Sequence, residues 1–401
     1  MAAANEAQTS KLKIVHVFRA PLGGLFRHVV DLAAEQSARG CQVGMFFDGD
    51  ARCPRVEAAL ARVPGGLKLG VAMAPIRRNP GFSDIAAMAR FVAWLGKVKP
   101  DVVHGHGSKG GAYARLSGWR TFGDGPIRAY TPHGGSFNYQ VGSPLHRAYM
   151  LAERALAPMT DVFLFESAYI AGRFDWYVGA ASGLRRVVAN GIGPAEFEPI
   201  ALNEDAADLL YVGELRAAKG IDTLLDAIAL IGRSRGVVPR AVLVGSGPDE
   251  AVLTQRAKRD GVAQFVSFAG PMPVREAFKL GRVLVVPSRA ESMPYVVLEA
   301  AGARVPMIAT NVGGIPEIYG PFRDRLGPPD DVENLRQRIE RALDAPADRL
   351  RREAADLASR VAEHFSIQAM VNSVMAGYGE AIARRRRSLV GAPVAAAPSH
   401  R

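Results

Sequence analysis

The sequence predicts an α/β protein of two domains, each a parallel sheet covered by helices. Three observations carry that expectation. At 401 residues the chain exceeds the size at which a single hydrophobic core usually stops growing. Short runs of β-forming residues alternate with helical patterns, the signature of parallel sheets wrapped by crossover helices. The alternation breaks off before residue 200 and then starts again.

The first series opens with "KIVHVF" at Lys13 to Phe18, a glycine turn and the helical pattern "LFRHVVDLAAEQSARG". "VGMFF", "DVVH", "IRAYTPH" and "DVFLFES" continue it through residue 167, which makes a doubly wound domain over residues 11–200. The segment "ANGIGPAEFEPIALNEDA" is rich in Pro, Gly and acidic residues and reads as a linker. A second series, "DLLYVG", "AVLVGSG", "QFVSFAG", "VLVVPS" and "PMIAT", builds a domain over residues 201–365 that ends in charged helices. An amphipathic helix over 366–386 is expected to cross back to the first domain, and 387–401, which starts with the last arginine of the run Arg384 to Arg387 and is then Ala/Pro-rich, to be disordered. Two similar halves invite a ligand cleft between them.

Composition narrows the class. The chain is 48% apolar and 22% charged, ordinary for a soluble globular protein. Cys41 and Cys53 have neither disulfide-framework nor metal-ligand spacing, which favours a reducing, cytoplasmic setting. The N-terminal segment lacks the apolar stretch of a signal peptide. No run approaches the roughly 18 uninterrupted apolar residues of a membrane helix. The net charge of +11 fits nucleic acid, anionic lipid or phosphorylated substrates. Without aromatic residues interleaved among the basic ones, a nucleic-acid partner is not expected.

Five stretches hold candidate chemistry. In "ESMPYVVLEA", Pro294 suits the first position of a helix. Glu291 then sits in the loop at a strand's end, and the N–H groups of Tyr295, Val296 and Val297 form an anion site. Glu299, one turn in, suits ribose hydroxyls better than phosphate. A surface glutamate and an exposed helix residue fit this stretch as well. In "YVGELRAAKGIDTLLDAI" a strand ends at Gly213, and Arg216 and Lys219 occupy the loop and first helical turn. Cations there oppose the helix dipole and call for an anion such as a diphosphate; pointing to solvent is the alternative. In "PLGGLFRHV", Gly23 and Gly24 let a phosphate or sugar approach the backbone, but neither this nor "LVGSGPDE" is a dinucleotide fingerprint, so a dehydrogenase is disfavoured. His104 and His106 in "DVVHGHGSKGG" and His133 in "YTPHGGSF" lie at carboxyl ends of strands, where α/β ligands bind. "GHGSKGG" lacks phosphate-loop spacing, which excludes a nucleoside triphosphatase of that type.

With "VVANGI" and "ATNVGGIPEI", these segments resemble, along nearly the whole chain, the retaining glycosyltransferases of family 4. That family has a GT-B fold, two facing Rossmann-like doubly wound domains with an interdomain cleft. The resemblance implies transfer of a hexosyl group from a UDP- or GDP-linked sugar to a glycan or glycolipid hydroxyl, in lipopolysaccharide, capsule or exopolysaccharide assembly. Glu299 would bind the donor's ribose, with Gly23, Gly24, Gly213, Tyr295 and Val296 completing the nucleotide-sugar site. Glu291 and His133 would border the transferred sugar, and Arg216 and Lys219 would neutralise the leaving diphosphate. Glu214 stands where many members carry an arginine, so Arg216 takes that role. No cofactor and no metal ion is expected. "LHRAYMLAERAL" and "SKGGAYARL" offer basic helical faces to an anionic membrane surface. The rival expectations are a sugar-nucleotide epimerase or phosphorylase of the same fold, and a non-catalytic sugar-nucleotide-binding scaffold.

Overall fold

The computed structural model describes residues 11–51, 53–79, 81–117 and 125–390. The leader expectation falls on residues outside this range, as does most of the disorder expectation. Two compact units emerge. Unit 1 holds the chain up to Glu166, then Ala171–Val188, and the residues from Val371 onward; unit 2 holds Ser167–Ile170 and Ala189–Met370.

Unit 1 is built from β1 (Lys13–Val17), α1 (Gly23–Ala38), β2 (Gln42–Asp48), α2 (Pro54–Leu60), β3 (Gly70–Ala74), α3 (Ser83–Val98), β4 (Val102–His106), α4 (Gly107–Leu116), β5 (Ile127–Thr131), α5 (Pro144–Leu156), β6 (Val162–Phe165), α6 (Ala168–Tyr177) and β7 (Leu184–Val187). Its seven strands are parallel and run in the order β3-β2-β1-β4-β5-β6-β7. The order reverses between β1 and β4, the position outside which α/β sheets bind ligands. Sequence patterning did not reveal β3 ("GVAMA") and β7 ("LRRV"). Both are sheet edges, half-exposed strands that do not need the continuous apolar run of a central parallel strand.

Unit 2 contains β8 (Ala207–Val212), α7 (Ile221–Arg235), β9 (Ala241–Val244), α8 (Glu250–Arg259), β10 (Val266–Gly270), α9 (Val274–Ala277), β11 (Gly281–Val286), α10 (Tyr295–Gly302), β12 (Met307–Ala309), α11 (Ile315–Tyr319), α12 (Val332–Leu343) and α13 (Ala347–His364). Its parallel sheet runs β10-β9-β8-β11-β12, reversing between β8 and β11.

Two boundaries differ from expectation. The Pro/Gly-rich stretch 189–206 belongs to unit 2 and is no free linker. Ile192 is buried in that unit's core, and Asn190 Nδ2 donates to Met293 O at 2.7 Å. The last helix, α14 (Ile367–Val390), continues past residue 386. Arginine is a good helix former and its charge suits a helix C-terminus, so the arginine run extends the helix rather than ending it. Within unit 1, Tyr378 of α14 reaches His104, and Glu380 pairs with Arg186.

Candidate functional site

In unit 2 the expected residues gather where the strand order reverses. After β8 the chain passes through Gly213 and Glu214, buries Leu215, and makes a short 3-10 turn over Ala217–Lys219 before α7. Lys219 therefore precedes the helix instead of lying in its first turn. Gly220, with φ +65°, caps α7, and a Cβ there would stand 2.0 Å from Pro287 O. Only glycine allows that approach, which presses Lys219 against the loop following β11.

The consequence is a contact the sequence could not show. Lys219 Nζ donates to Glu291 Oε1 at 2.6 Å, and Ser288 Oγ donates to the same oxygen at 2.7 Å. Glu291 is 8% exposed and Glu299 6%, so the reading of both as surface residues fails. The backbone of Glu291 is held from the other side by Gly313 (φ +59°), whose Cβ would lie 2.0 Å from Glu291 O.

Pro294 occupies the N-cap of α10 rather than its first helical position, and the N–H of Val297 bonds back to Pro294 O at 3.2 Å. The anion site expected at the start of α10 therefore loses the N–H of Val297. Glu299 lies four residues beyond Tyr295 on the same helix, and Gly302 lets α10 pack closely on Ile192 and Glu196.

Arg216 is half-exposed, with Glu214 Oε2 3.3 Å away. Glu214 is thus paired with the cation two residues on. Arg289, which sequence reasoning passed over, ties the two loops together: Nη1 donates to Ala217 O at 2.5 Å, and the guanidinium forks onto Asp222 at 2.8 and 2.9 Å. The phenol of Tyr211, pushed up by burial and then by Glu291 and Glu214, stays protonated and donates to Glu214 O.

In unit 1, Gly23 and Gly24 are the first two residues of α1, not a turn ahead of it. Gly23 adopts φ +61° in open space, so conformation rather than room requires glycine there. The glycines of "GHGSKGG" serve packing: Cβ atoms at Gly105, Gly110 and Gly111 would collide with Gly110 O, Val17 O and the Tyr130 ring at 2.2–2.4 Å. The basic face expected of "SKGGAYARL" is not free. Lys109 pairs with Asp84 at 2.6 Å, and Arg115 is fully buried against Glu153 at 2.7 Å with the Tyr130 ring beneath it.

The three predicted histidines converge, together with two the sequence reading missed. His16 on β1 stands in register with His104 on β4, and His28 comes from α1. His16 Nδ1 lies 3.0 Å from His106 Nε2, and His106 Nδ1 lies 3.1 Å from His133 Nε2. His104 is bonded separately to Tyr378 OH at 2.7 Å and Thr131 Oγ1 at 2.8 Å. His133 has φ +53°, a left-handed backbone uncommon outside glycine. Burial lowers His16 to about 4 despite its hydrogen bond to Gln36. Burial first, then the neighbouring imidazoles, holds His104 and His106 well below 6.5. His133, half-buried by accessible surface, is enclosed enough that desolvation lowers it strongly too. His16, His104, His106 and His133 are therefore neutral at pH 7.

Two doubly wound parallel sheets, each with its candidate residues at the strand-order reversal, define a GT-B glycosyltransferase. Solved structures agree on the fold: sucrose-phosphate synthase from Thermosynechococcus elongatus (TM-score 0.72, 23% identity, 93% of this chain and all of that one) and Anabaena HepE in complex with UDP-glucose (0.72, 17%, 95% and 100%). The "Glycosyltransferase Family 4" model matches residues 22–196, and "Glycosyl transferases group 1" matches 194–360. The chain belongs to the family 4 glycosyltransferases. Among relatives, the putative teichuronic acid biosynthesis glycosyltransferase TuaC of Bacillus subtilis is 36% identical over 33% of this chain and 32% of its own length. Glycogen synthase of Mycobacterium tuberculosis is 29% identical over 83% and 86%. Among the described residues no helix is long and apolar enough to cross a membrane.

Proposed function

We propose that the protein transfers a hexosyl group, with retention at the anomeric carbon, from a UDP- or GDP-linked sugar to a hydroxyl of a glycan or lipid-linked acceptor in cell-envelope or exopolysaccharide assembly. The observation that carries this reading is the buried Glu291, clamped by Lys219 and Ser288 beside the helix that bears Glu299. A buried carboxylate needs partners, and here one oxygen takes both of them. The other oxygen takes no hydrogen bond from the described residues and is available to a sugar hydroxyl.

In this reading Lys219 and Arg216 stabilise the charge that develops on the leaving diphosphate, and Val296 N–H supplies a further donor beside Tyr295 at the start of α10. Stabilisation of this kind, prearranged where charge grows, is often the largest contribution to catalysis. The leaving phosphate accepts the proton of the attacking hydroxyl, so no protein base has to be placed on the acceptor's side. These cations perform the charge neutralisation that a metal ion would otherwise supply. Glu299 accepts from the ribose, and His133 contacts the transferred sugar. The relatives support a nucleotide-sugar donor, since HepE is seen with UDP-glucose. Exposed Leu145 and Leu151 on α5, beside basic Arg147, offer an apolar and basic face to an anionic membrane surface.

The test is a thermal-shift and calorimetric panel of UDP, GDP, ADP and their sugar conjugates. A ligand that binds only the folded chain raises its melting temperature. One nucleotide series should stand out, and Glu299→Gln should weaken it. Lys219→Ala should lower turnover by about 10²–10³-fold, the usual effect of removing one such donor. Absence of any nucleotide shift, or wild-type turnover in Lys219→Ala, would defeat the reading.

A further inference from the structure

The imidazoles of unit 1 form a hydrogen-bonded line whose direction can be worked out from one end. There, Gln36 Nε2 lies 3.7 Å from Met375 Sδ. A thioether sulfur can accept a hydrogen bond but cannot donate one. The amide NH2 therefore faces the sulfur, and the amide oxygen faces His16. His16 Nε2, 2.8 Å from that oxygen, must carry a hydrogen.

A neutral imidazole has one N–H and one lone pair, and the rings are neutral at pH 7 because they are buried. His16 Nδ1 is consequently an acceptor, and His106 Nε2, 3.0 Å away, is its donor. His106 Nδ1 is then an acceptor in turn, and His133 Nε2, 3.1 Å away, donates to it. Each link removes one choice from the next. His133 is left with a bare lone pair on Nδ1, an atom that takes no hydrogen bond from the described residues. The left-handed backbone at His133, followed by Gly134 and Gly135 at φ +72° and +22°, sets the ring at the end of this line. Ser108 Oγ anchors the turn by accepting from Ser136 N at 3.0 Å. His104, engaged by Tyr378 and Thr131, stands beside the line and not in it.

We propose that Gln36, His16 and His106 are positioning residues that lock His133 as the Nε2–H tautomer, so that it presents Nδ1 as a hydrogen-bond acceptor to a hydroxyl group of the substrate sugar. The proposal rests on the reading that His133 contacts substrate, and it specifies the polarity of that contact. A lone pair repels phosphate oxygens, which also only accept. His133 is therefore suited to a neutral, hydroxyl-bearing group and not to a diphosphate. The specificity follows: a sugar lacking the hydroxyl that meets His133 loses the bond, and so does one with an ether or fluorine in its place.

The experiment uses the full chain labelled with ¹⁵N-histidine, its ring nitrogens read by long-range ¹H–¹⁵N correlation near pH 7. His133 is assigned from the signals lost in His133→Asn. The expected result in the free protein is a protonated Nε2 and a bare Nδ1 at His133; a proton on Nδ1, or on both nitrogens, overturns the proposal. Gln36→Met removes the oxygen two imidazoles away while keeping side-chain length and apolar surroundings. It should leave His133 as a mixture of tautomers and raise the donor KM in proportion to the competent fraction lost, about twofold for an even mixture, with kcat near wild type. A residue of purely structural importance would lower the melting temperature and leave the His133 tautomer unchanged, which would also overturn the proposal. If Gln36→Met does not fold, the wild-type spectrum still decides the tautomer. Finally, the nucleotide sugar selected by the thermal-shift panel should move the His133 Nδ1 resonance, and its nucleotide diphosphate alone should not; equal effects, or none, refute the hydroxyl contact. The tautomer is read without ligand, so failure of the relay is distinguishable from failure of the nucleotide panel, which counts against the proposed function instead.

Discussion

Acid should unfold unit 1 before it affects unit 2. His16, His104 and His106 are each at most 1% exposed, and burial holds all three below the ordinary value of 6.5. Above about pH 6.5 the folded and unfolded chains both carry these rings neutral, and no penalty arises. As the pH falls through that value the unfolded chain takes up protons that the folded chain refuses, so stability is lost, and for His16 the loss is complete only near pH 4. At about pH 5.5 the proton excluded from His16 costs about 1 kcal/mol, and His104 and His106 add penalties of the same sign, against the roughly 5–15 kcal/mol that holds a domain folded. Acidic side chains with resolved shifts, such as Asp84 and Asp222, are held low and stay charged through this window. The assay follows from the tryptophans: Trp94 and Trp176 fall in unit 1, and residues 189–370 contain none. Urea unfolding followed by their fluorescence, from about pH 7.5 to about pH 5.5, should show a steep fall in the midpoint, and His16→Asn should lessen the slope by one proton's worth. A midpoint that does not change with pH, or an unaltered slope in His16→Asn, would refute the reasoning.

Gly220→Ala places a Cβ 2.0 Å from Pro287 O at φ +65°; unit 2 should lose about 1–3 kcal/mol in urea unfolding followed by circular dichroism, and turnover should fall because Lys219 is displaced. Unchanged stability would mean that the two loops do not pack as described. Glu153→Gln leaves the fully buried Arg115 guanidinium without its carboxylate and should destabilise unit 1 by about 3 kcal/mol, read by tryptophan fluorescence. Arg289→Met removes the tie from the loop after β11 to Ala217 and Asp222. Because Arg289 is partly exposed, stability should fall by only about 1 kcal/mol, while kcat/KM falls about tenfold through misplacement of Lys219; a stability loss with kcat/KM intact would show that the strut does not serve the site.

The fold was legible because central parallel strands are buried on both faces and must be written as apolar runs, as β8, β9 and β11 of unit 2 are; its edges β10 and β12 happen to carry enough apolar residues to be read as well. The edge strands β3 and β7 were not legible, since a half-exposed strand carries no such demand. The stretch 189–206 misled in the other direction. Its Pro, Gly and acidic residues are those of a linker, yet Ile192 and Asn190 anchor it to unit 2 through contacts with residues about a hundred or more positions away.

For the candidate site, residue types and loop positions could be read from the chain alone. Glycines, cations and carboxylates at strand ends are local features, and each was placed within a residue or two of where the structure puts it. Their partners could not be read. That Lys219 grips Glu291, that Gly220 exists to let Pro287 approach, and that His16 and His28 join His104, His106 and His133 all depend on which strands lie side by side where the order reverses. Local sequence determines the conformation and burial tendency of each segment, because those depend on near neighbours. The pairing of distant polar groups, and with it the charge state and hydrogen-bond direction on which chemistry depends, is decided only when the sheet brings them together and water is excluded.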